Sequence, residues 1–100
     1  MAKLKIEWSI EARLDLIDIL DFYIHRNGTS LFSKKLYTQI KQGISLIAKN
    51  PLIGVQTEFP DARALITGDY QIIYEIKGTV ILIVMIWDSR RNPEDKRIGN

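Results

Sequence analysis

Apolar and polar residues alternate from Leu4 to Trp8, with Leu4, Ile6 and Trp8 on one side and Lys5 and Glu7 on the other. A two-residue period is the mark of a strand. Ser9 then offers a side-chain oxygen to the orphan amides of a following helix, and Glu11 complements the positive end of its dipole. The spacing predicts a helix from Ile10 to Arg26. Ala12, Leu16, Ile19, Leu20 and Tyr23 form one apolar stripe, and Ile10, Leu14, Ile17 and Ile24 form a second. Two stripes call for two packing partners, or one partner inside the molecule and one outside it. Asn27-Gly28 closes the helix, because glycine accepts the left-handed backbone of a helix terminus. Thr29 or Ser30 caps a second helix running to Lys49, with Phe32, Leu36, Ile40, Ile44 and Ile47 at helical spacing and Asn50-Pro51 as its stop. The short link implies an antiparallel hairpin.

Pro51 to Pro60 carries no period and reads as irregular. Beyond it, Ala62–Thr67, Tyr70–Ile76 and Thr79–Trp87 read as strands, with tight turns at Gly68-Asp69 and Lys77-Gly78. Tyr70, Ile72, Tyr74 and Ile76 share a face of the middle strand. The unbroken run Val80 to Ile86 lacks alternation, so that strand is expected at the centre of the sheet and covered on both sides. It needs a neighbour on each edge, and the first strand is assigned to the free one. The predicted fold is α+β: an N-terminal strand, then an antiparallel helical hairpin packed on a mainly antiparallel four-stranded sheet, as a single domain over residues 1–100.

One hundred residues at 46% hydrophobic are enough for one core and exclude a large enzyme fold. No cysteine is present, which removes disulfides, thiolate metal sites and thiol nucleophiles. No targeting segment is read at the N-terminus, and the longest apolar run, Val80 to Trp87, is far shorter than a membrane span needs. A cytoplasmic protein without a membrane partner is expected. The net charge of +2 says little, but its distribution is polarised. From Glu7 to Asp21 five acids and one base give −4, whereas Phe22 to Thr57 holds no acid and five bases, Arg26, Lys34, Lys35, Lys41 and Lys49. Either the two helices exchange ion pairs, or the basic helix meets an anionic partner. At the other end of the chain Arg90 and Arg91 follow directly on the apolar strand, so the sheet fixes their backbone. Paired guanidiniums there suit a phosphate or a carboxylate, and Lys34, Lys35 and Lys41 are further candidate contacts for a target or a phosphate. The plain alternative is a strand end that simply turns polar.

The chain holds no Gly-rich phosphate loop, no nucleophile elbow and no zinc-binding helix motif. The single histidine, His25, suits the C-terminal end of the first helix, where a cationic ring complements the dipole. No cofactor and no metal are expected. The chemistry left open is metal-independent phosphodiester cleavage, with Asp88 as base, Arg63, Arg90 and Arg91 as cations and Tyr70 or Tyr74 as proton donor. Nothing in the sequence raises the pKa of Asp88, so the reading leans away from an enzyme.

Four segments resemble toxins of the RelE/ParE superfamily. They are Trp8-Ser9-Ile10-Glu11-Ala12 with Asp15-Leu16, Asn50-Pro51-Leu52-Ile53-Gly54, Gly68-Asp69-Tyr70-Gln71-Ile72-Ile73-Tyr74, and Ile86-Trp87-Asp88-Ser89-Arg90-Arg91-Asn92-Pro93. They fall in the family's order on the predicted elements. The resemblance implies a bacterial type II toxin, linked to plasmid stabilization and growth inhibition and neutralised by a cognate antitoxin in a hetero-oligomer. The long hairpin is similar to the ParE-like branch, which implies DNA gyrase as target. Gln71 stands where RelE-like nucleases carry arginine, Asp88 where many relatives carry histidine, and the preceding strand offers Arg63 in place of two lysines. A ribosome-dependent mRNA interferase is therefore the alternative, and a degenerate, non-toxic binding member the second. The second stripe of the first helix, Ile10, Leu14, Ile17 and Ile24, is the expected antitoxin contact, the alternative being that it packs on the second helix.

Overall fold

The computed structural model describes residues 4–91. Its elements are β1 (Lys5–Trp8), α1 (Ile10–Asn27), α2 (Leu31–Lys49), β2 (Val55–Gln56), β3 (Ala62–Thr67), β4 (Tyr70–Lys77) and β5 (Val80–Asp88). The strands form one sheet in the order β1-β5-β4-β3-β2. β1 runs parallel to β5, and every other pairing is antiparallel. The architecture is the expected α+β one, with β1 on the free edge of β5. The sheet has five strands where four were expected, because Val55 and Gln56 pair with Ala64 and Arg63. Two residues are too few to display a period, and Pro51, Gly54 and Pro60 around them carry the signals of a loop.

The helices close as their ends predict. Ser9 Oγ accepts from the Ala12 amide at 3.0 Å, and the Gly28 amide donates to Ile24 O at 2.9 Å. At the start of α2 Thr29 supplies the side-chain cap, its Oγ1 accepting from the Leu31 amide at 3.0 Å, while Ser30 makes no such bond. The hairpin is joined by Ser33 Oγ donating to Leu20 O at 2.7 Å and by the Tyr23 and Phe32 rings, 4.6 Å apart. Among the described residues no ion pair links the two helices. The opposite charges of the two helices are therefore not paired with each other.

Both hairpin turns of the sheet hold two residues, since Thr67 pairs with Tyr70 and Lys77 with Val80. The second turn is thus Gly78-Thr79, one residue later than predicted. In each the glycine has positive φ (60° and 61°) and its follower does not. That pattern fits a type II′ turn, which matches the twist of the flanking strands.

The helices cover one face of the sheet. Ala12, Leu36, Ile40 and Ile47 meet Ile72, Tyr74, Ile81 and Ile83 there. The second face buries Ala62, Ala64, Ile73, Met85 and Trp87, with Phe59 and Val84 packed against them. β5 lies beside the middle strand β4 instead of at the centre, and away from the helices Val80, Leu82 and Val84 are only half-buried, so the strand is not covered on both sides as expected. Its register shifts once: Ile73 pairs with Met85 and Tyr74 with Ile83, leaving Val84 as the extra residue of a bulge. Beyond the bulge Ile86 belongs to the helix-facing core and Trp87 to the other. The bulge therefore decides which way the strand end points.

β1 pairs with β5 only as far as Ile83, and α1 serves the edge that remains. The Ser9 amide donates to Ile83 O at 2.9 Å and its hydroxyl to Val84 O at 3.1 Å. The Ile86 amide, past the end of β1, donates to Asp15 Oδ2 at 3.1 Å. Burial pushes the Asp15 carboxyl above its ordinary range, the Ile86 amide pulls it back, and the nearby Asp18 charge raises it again. Among the described residues no helix is long and apolar enough to cross a membrane.

Candidate functional site

β5 ends in a compact turn built on Asp88. Asp88 O accepts from the Arg91 amide at 3.0 Å, and Oδ1 accepts from the Arg90 amide at 2.9 Å. Across the sheet the Ser89 amide donates to Asp69 O at 2.8 Å. The backbone beneath the two arginines is thus closed on itself through Asp88 and tied to its neighbour at Asp69. Arg90 folds back onto the same carboxylate, Nε to Oδ1 at 2.9 Å and one terminal nitrogen to Oδ2 at 2.8 Å, a two-pronged pair. Its guanidinium also donates to the Tyr23 hydroxyl at 3.3 Å and stands 3.9 Å from Asp69. The Arg91 guanidinium lies 4.7 Å from the centre of the Trp87 ring.

Tyr23, on α1, joins this turn to the helices. Its oxygen accepts from Tyr70 at 3.3 Å as well as from Arg90. Those two donors, Tyr70 first, hold the Tyr23 phenol below its ordinary pKa. Burial, and then donation to Tyr23, push Tyr70 well above the usual range. Between α1 and β5 lies a cleft of about 410 Å³ with Ile19, Phe22, Tyr70 and Ile86 in its wall. Asp15, Asp18 and Asp88 supply its acids, and Arg26, Arg90 and Arg91 its bases. The Phe22 ring is exposed at its edge, with the Arg26 guanidinium 6.0 Å from the ring centre.

Of the residues assigned to phosphodiester chemistry, Tyr70, Asp88, Arg90 and Arg91 line one cleft, whereas Arg63 and Tyr74 stand apart from it. Asp88, Arg90 and Arg91 share the turn, but Arg63 pairs with Tyr74 and Asp88 with Tyr70. Four residues of strand separate those positions, about 13 Å. Arg63 is instead engaged with a loop: its guanidinium donates to Gly54 O at 2.8 Å and to Leu52 O at 3.4 Å. Tyr74 holds the same loop, donating to Pro51 O at 2.6 Å and accepting from the Gly54 amide at 2.9 Å. Gly54 fits there because a Cβ would stand 2.6 Å from the Tyr74 hydroxyl.

The acid and base candidates are also shifted from their ordinary values. The Arg90 guanidinium holds the Asp88 carboxyl below the usual carboxylate range, which makes it a poorer base. Burial raises both proton-donor candidates, Tyr70 and Tyr74, and so makes them poorer acids. Lys34, Lys35 and Lys41 stand exposed on α2, and none lines the cleft that holds Arg90 and Arg91. The Lys41 ammonium sits 5.5 Å from the centre of the Tyr37 ring. His25 Nδ1 lies 2.8 Å from Asp21 O, one turn back along α1. Asn92 and Pro93 of the strand-end motif, and the tail charges Glu94, Asp95, Lys96 and Arg97, lie outside the described residues.

The second stripe of α1 is uncovered. Ile10, Leu14, Ile17 and Ile24 are 73%, 54%, 52% and 37% exposed. Beside them a groove of about 580 Å³ opens between β1, α1 and α2, with Trp8, Leu16, Ile40 and Ile44 in its floor and Arg13, Tyr37 and Lys41 on its rim. Sequence reasoning counted Tyr23 as core and missed its place beside Arg90. Helical spacing reveals which face a tyrosine takes, but not what its hydroxyl meets.

A family model described as "ParE toxin of type II toxin-antitoxin system, parDE" matches residues 6–93. Solved structures share the fold, among them the following two. A chain of the "Chromosomal ParDE TA system from P. aeruginosa" superposes with a TM-score of 0.76 at 23% identity, over 86% of this chain and 96% of that one. A chain of the toxin-antitoxin complex RelBE2 from Mycobacterium tuberculosis gives 0.62 at 17% identity, over 87% and 99%. No curated protein matches the sequence significantly.

Proposed function

The chain belongs to the ParE toxin family of type II toxin–antitoxin systems, and on that premise we propose that it arrests bacterial growth by binding DNA gyrase. The observation that carries this reading is the disarmed acid–base set. A nuclease needs a base, a cation and an acid around one phosphate. Here Arg63 is engaged with loop carbonyls, Asp88 is held as a paired carboxylate, and the two phenols are raised. What remains is a rigid turn displaying Arg90 and Arg91 at the sheet's end, a device suited to gripping a partner. The gyrase assignment itself comes from the likeness to the ParE-like branch.

A cognate antitoxin neutralises the toxin by laying an apolar segment along Ile10, Leu14, Ile17 and Ile24. The exposure of this stripe supports that role, because a surface helix normally hides such a stripe. No cofactor takes part, and both partners act in the cytoplasm.

The test is a supercoiling assay with purified gyrase. The chain is expected to block supercoiling and trap cleaved DNA, and the double substitution Arg90→Ala/Arg91→Ala to abolish both effects. If gyrase is untouched and induction in cells yields new mRNA ends in the ribosomal A site, the interferase reading replaces this one. Unchanged growth on induction without antitoxin identifies a non-toxic binding member.

A further inference from the structure

We infer that the cleft between α1 and β5 grips an extended protein segment of the target, one that carries a base, an apolar residue and an acid at alternate positions, and that it does not grip DNA. The inference rests on the reading of the strand end as the surface that holds the target, and it names what that surface takes. Three exposed side chains of α1 line the cleft in a row, Asp18, Phe22 and Arg26, each four residues after the last. Residues four apart share a helix face and stand about 6 Å from one another along the axis. An extended chain turns every second side chain to one side, about 6.6 Å apart. A segment laid along α1 therefore sets its residues i, i+2 and i+4 over the row in step. Asp18 calls for a base, Phe22 for an apolar side chain and Arg26 for an acid. Ile86, across the cleft on β5, adds to the apolar bed of the middle side chain. An exposed aromatic ring in a cleft is the kind of anchor that dominates protein interfaces.

The charge pattern selects this occupant. Among the described residues neither Asp18 nor Arg26 has an ion-pair partner, so both charges are open to a newcomer. A phosphate backbone, by contrast, draws on free lysines and arginines. Arg90 is already taken up by Asp88, with Asp69 beside it, and Asp15 and Asp18 add two further carboxylates to the cleft. Three acids balance three bases there, so a polyanion loses at the Asp18 end what it gains at the Arg26 end. A segment with both signs meets its complement at both ends, and a wrong sign at either end is repelled. The stripe assigned to the antitoxin, Ile10, Leu14, Ile17 and Ile24, lies about a third of a turn round α1 from this row. The cleft is thus a separate surface, left open beside a segment laid on the stripe.

An NMR titration of the full chain with the capped pentapeptide Lys-Thr-Leu-Thr-Glu tests this without any target protein. Resonances of Asp18, Phe22 and Arg26 are expected to shift and saturate at roughly millimolar peptide. The all-acidic peptide Glu-Thr-Leu-Thr-Glu should bind about fivefold more weakly, and Asp18→Lys should reverse that preference. Phe22→Ala should weaken the mixed peptide about tenfold and weaken gyrase inhibition to match. Circular dichroism confirms that each variant is folded. The inference is overturned by the lack of a saturable shift along the row, by an unchanged preference in Asp18→Lys, or by tighter binding of a short oligothymidylate than of the mixed peptide. Undiminished gyrase inhibition by folded Phe22→Ala overturns it too, and if that variant also escapes neutralisation the cleft belongs to the antitoxin. Should the wild-type chain bind the peptide as described and leave gyrase untouched, the gyrase reading falls and the specificity of the cleft stands.

Discussion

Arg63 and Arg90 stand toward opposite ends of one sheet, and the same side chain does two different jobs there. Arg63 gives its guanidinium to the carbonyls of Leu52 and Gly54, so its charge is spent on fixing a loop. Arg90 grips a carboxylate two residues away and reaches a phenol on α1, yet it remains exposed. Backbone carbonyls carry no chemistry beyond the bond they accept. A carboxylate and a phenol can be re-partnered when another surface arrives. An arginine's worth as a binding residue therefore depends on what already holds it, and between Arg63 and Arg90 it is Arg90 whose partners can be exchanged.

The sharpest way to break the comparison is at the loop end. Tyr74 is fully buried, and its hydroxyl bridges Pro51 O and the Gly54 amide. Tyr74→Phe leaves both groups without that partner and is expected to cost about 1–3 kcal/mol. Arg63→Ala should cost less, about 1 kcal/mol, because its bonds are nearer solvent. Urea unfolding measures both, and inhibition of gyrase by the folded fraction should be unchanged. Arg90→Ala should do the reverse, leaving the urea midpoint nearly in place while inhibition falls. A loss of inhibition in folded Arg63→Ala equal to that in Arg90→Ala would erase the distinction.

Much of this contrast was out of reach of the sequence, for particular reasons. The strands β3, β4 and β5 were legible because their apolar runs are long and bounded by Gly68 and Gly78. β2 was not, since two residues carry no period. The bulge at Val84 was hidden for a subtler reason. With apolar residues on both faces of β5, a shift of face puts no polar residue in the wrong place, so no pattern records it. The strand-end arginines were visible from their position. The commitment of Arg63 was not, because its partners are backbone carbonyls that any residue presents. Tyr23 was read correctly as facing inward, yet the meeting with Arg90 joins residues far apart in sequence.

A second test compares the two uses of carboxylate beside β5. Arg90 holds Asp88 low, whereas burial holds Asp15 high. A raised carboxyl binds its proton more tightly in the folded chain than in the unfolded one. The Asp15 contribution therefore favours folding at acid pH and is lost as pH rises from the ordinary value of 3.8 through the raised one. Asp15→Asn keeps an oxygen for the Ile86 amide and removes the buried charge. Relative to this variant, the wild-type chain should lose stability across that window. Asp15→Ala orphans the amide and should cost about 1 kcal/mol at acid pH, and less above the window, where wild type carries the buried charge. Parallel pH–stability curves for wild type and Asp15→Asn would show that Asp15 is not raised.

The smallest expected effect belongs to Tyr23→Phe, and it separates holding Arg90 from placing it. Asp88 keeps its two-pronged grip in this variant, so the Arg90 guanidinium stays bound at the turn. What is lost is the link from the turn to α1, together with the acceptor that Tyr70 uses. Inhibition of gyrase should weaken less than in Arg90→Ala, and stability should change little, since the hydroxyl lies near solvent. A spectroscopic signature makes the role visible. Of the four tyrosines, Tyr23 is held below the ordinary phenol pKa of 10.0, while Tyr70 and Tyr74 are held above theirs. Phenolate absorbance followed against pH should therefore lose its earliest component in Tyr23→Phe. Tyr70, deprived of that acceptor and of the Tyr23 phenolate charge, should ionise somewhat more readily than in wild type. If the earliest component survives the substitution, the Tyr70–Tyr23–Arg90 chain is not formed in solution, and Arg90 is positioned by Asp88 alone.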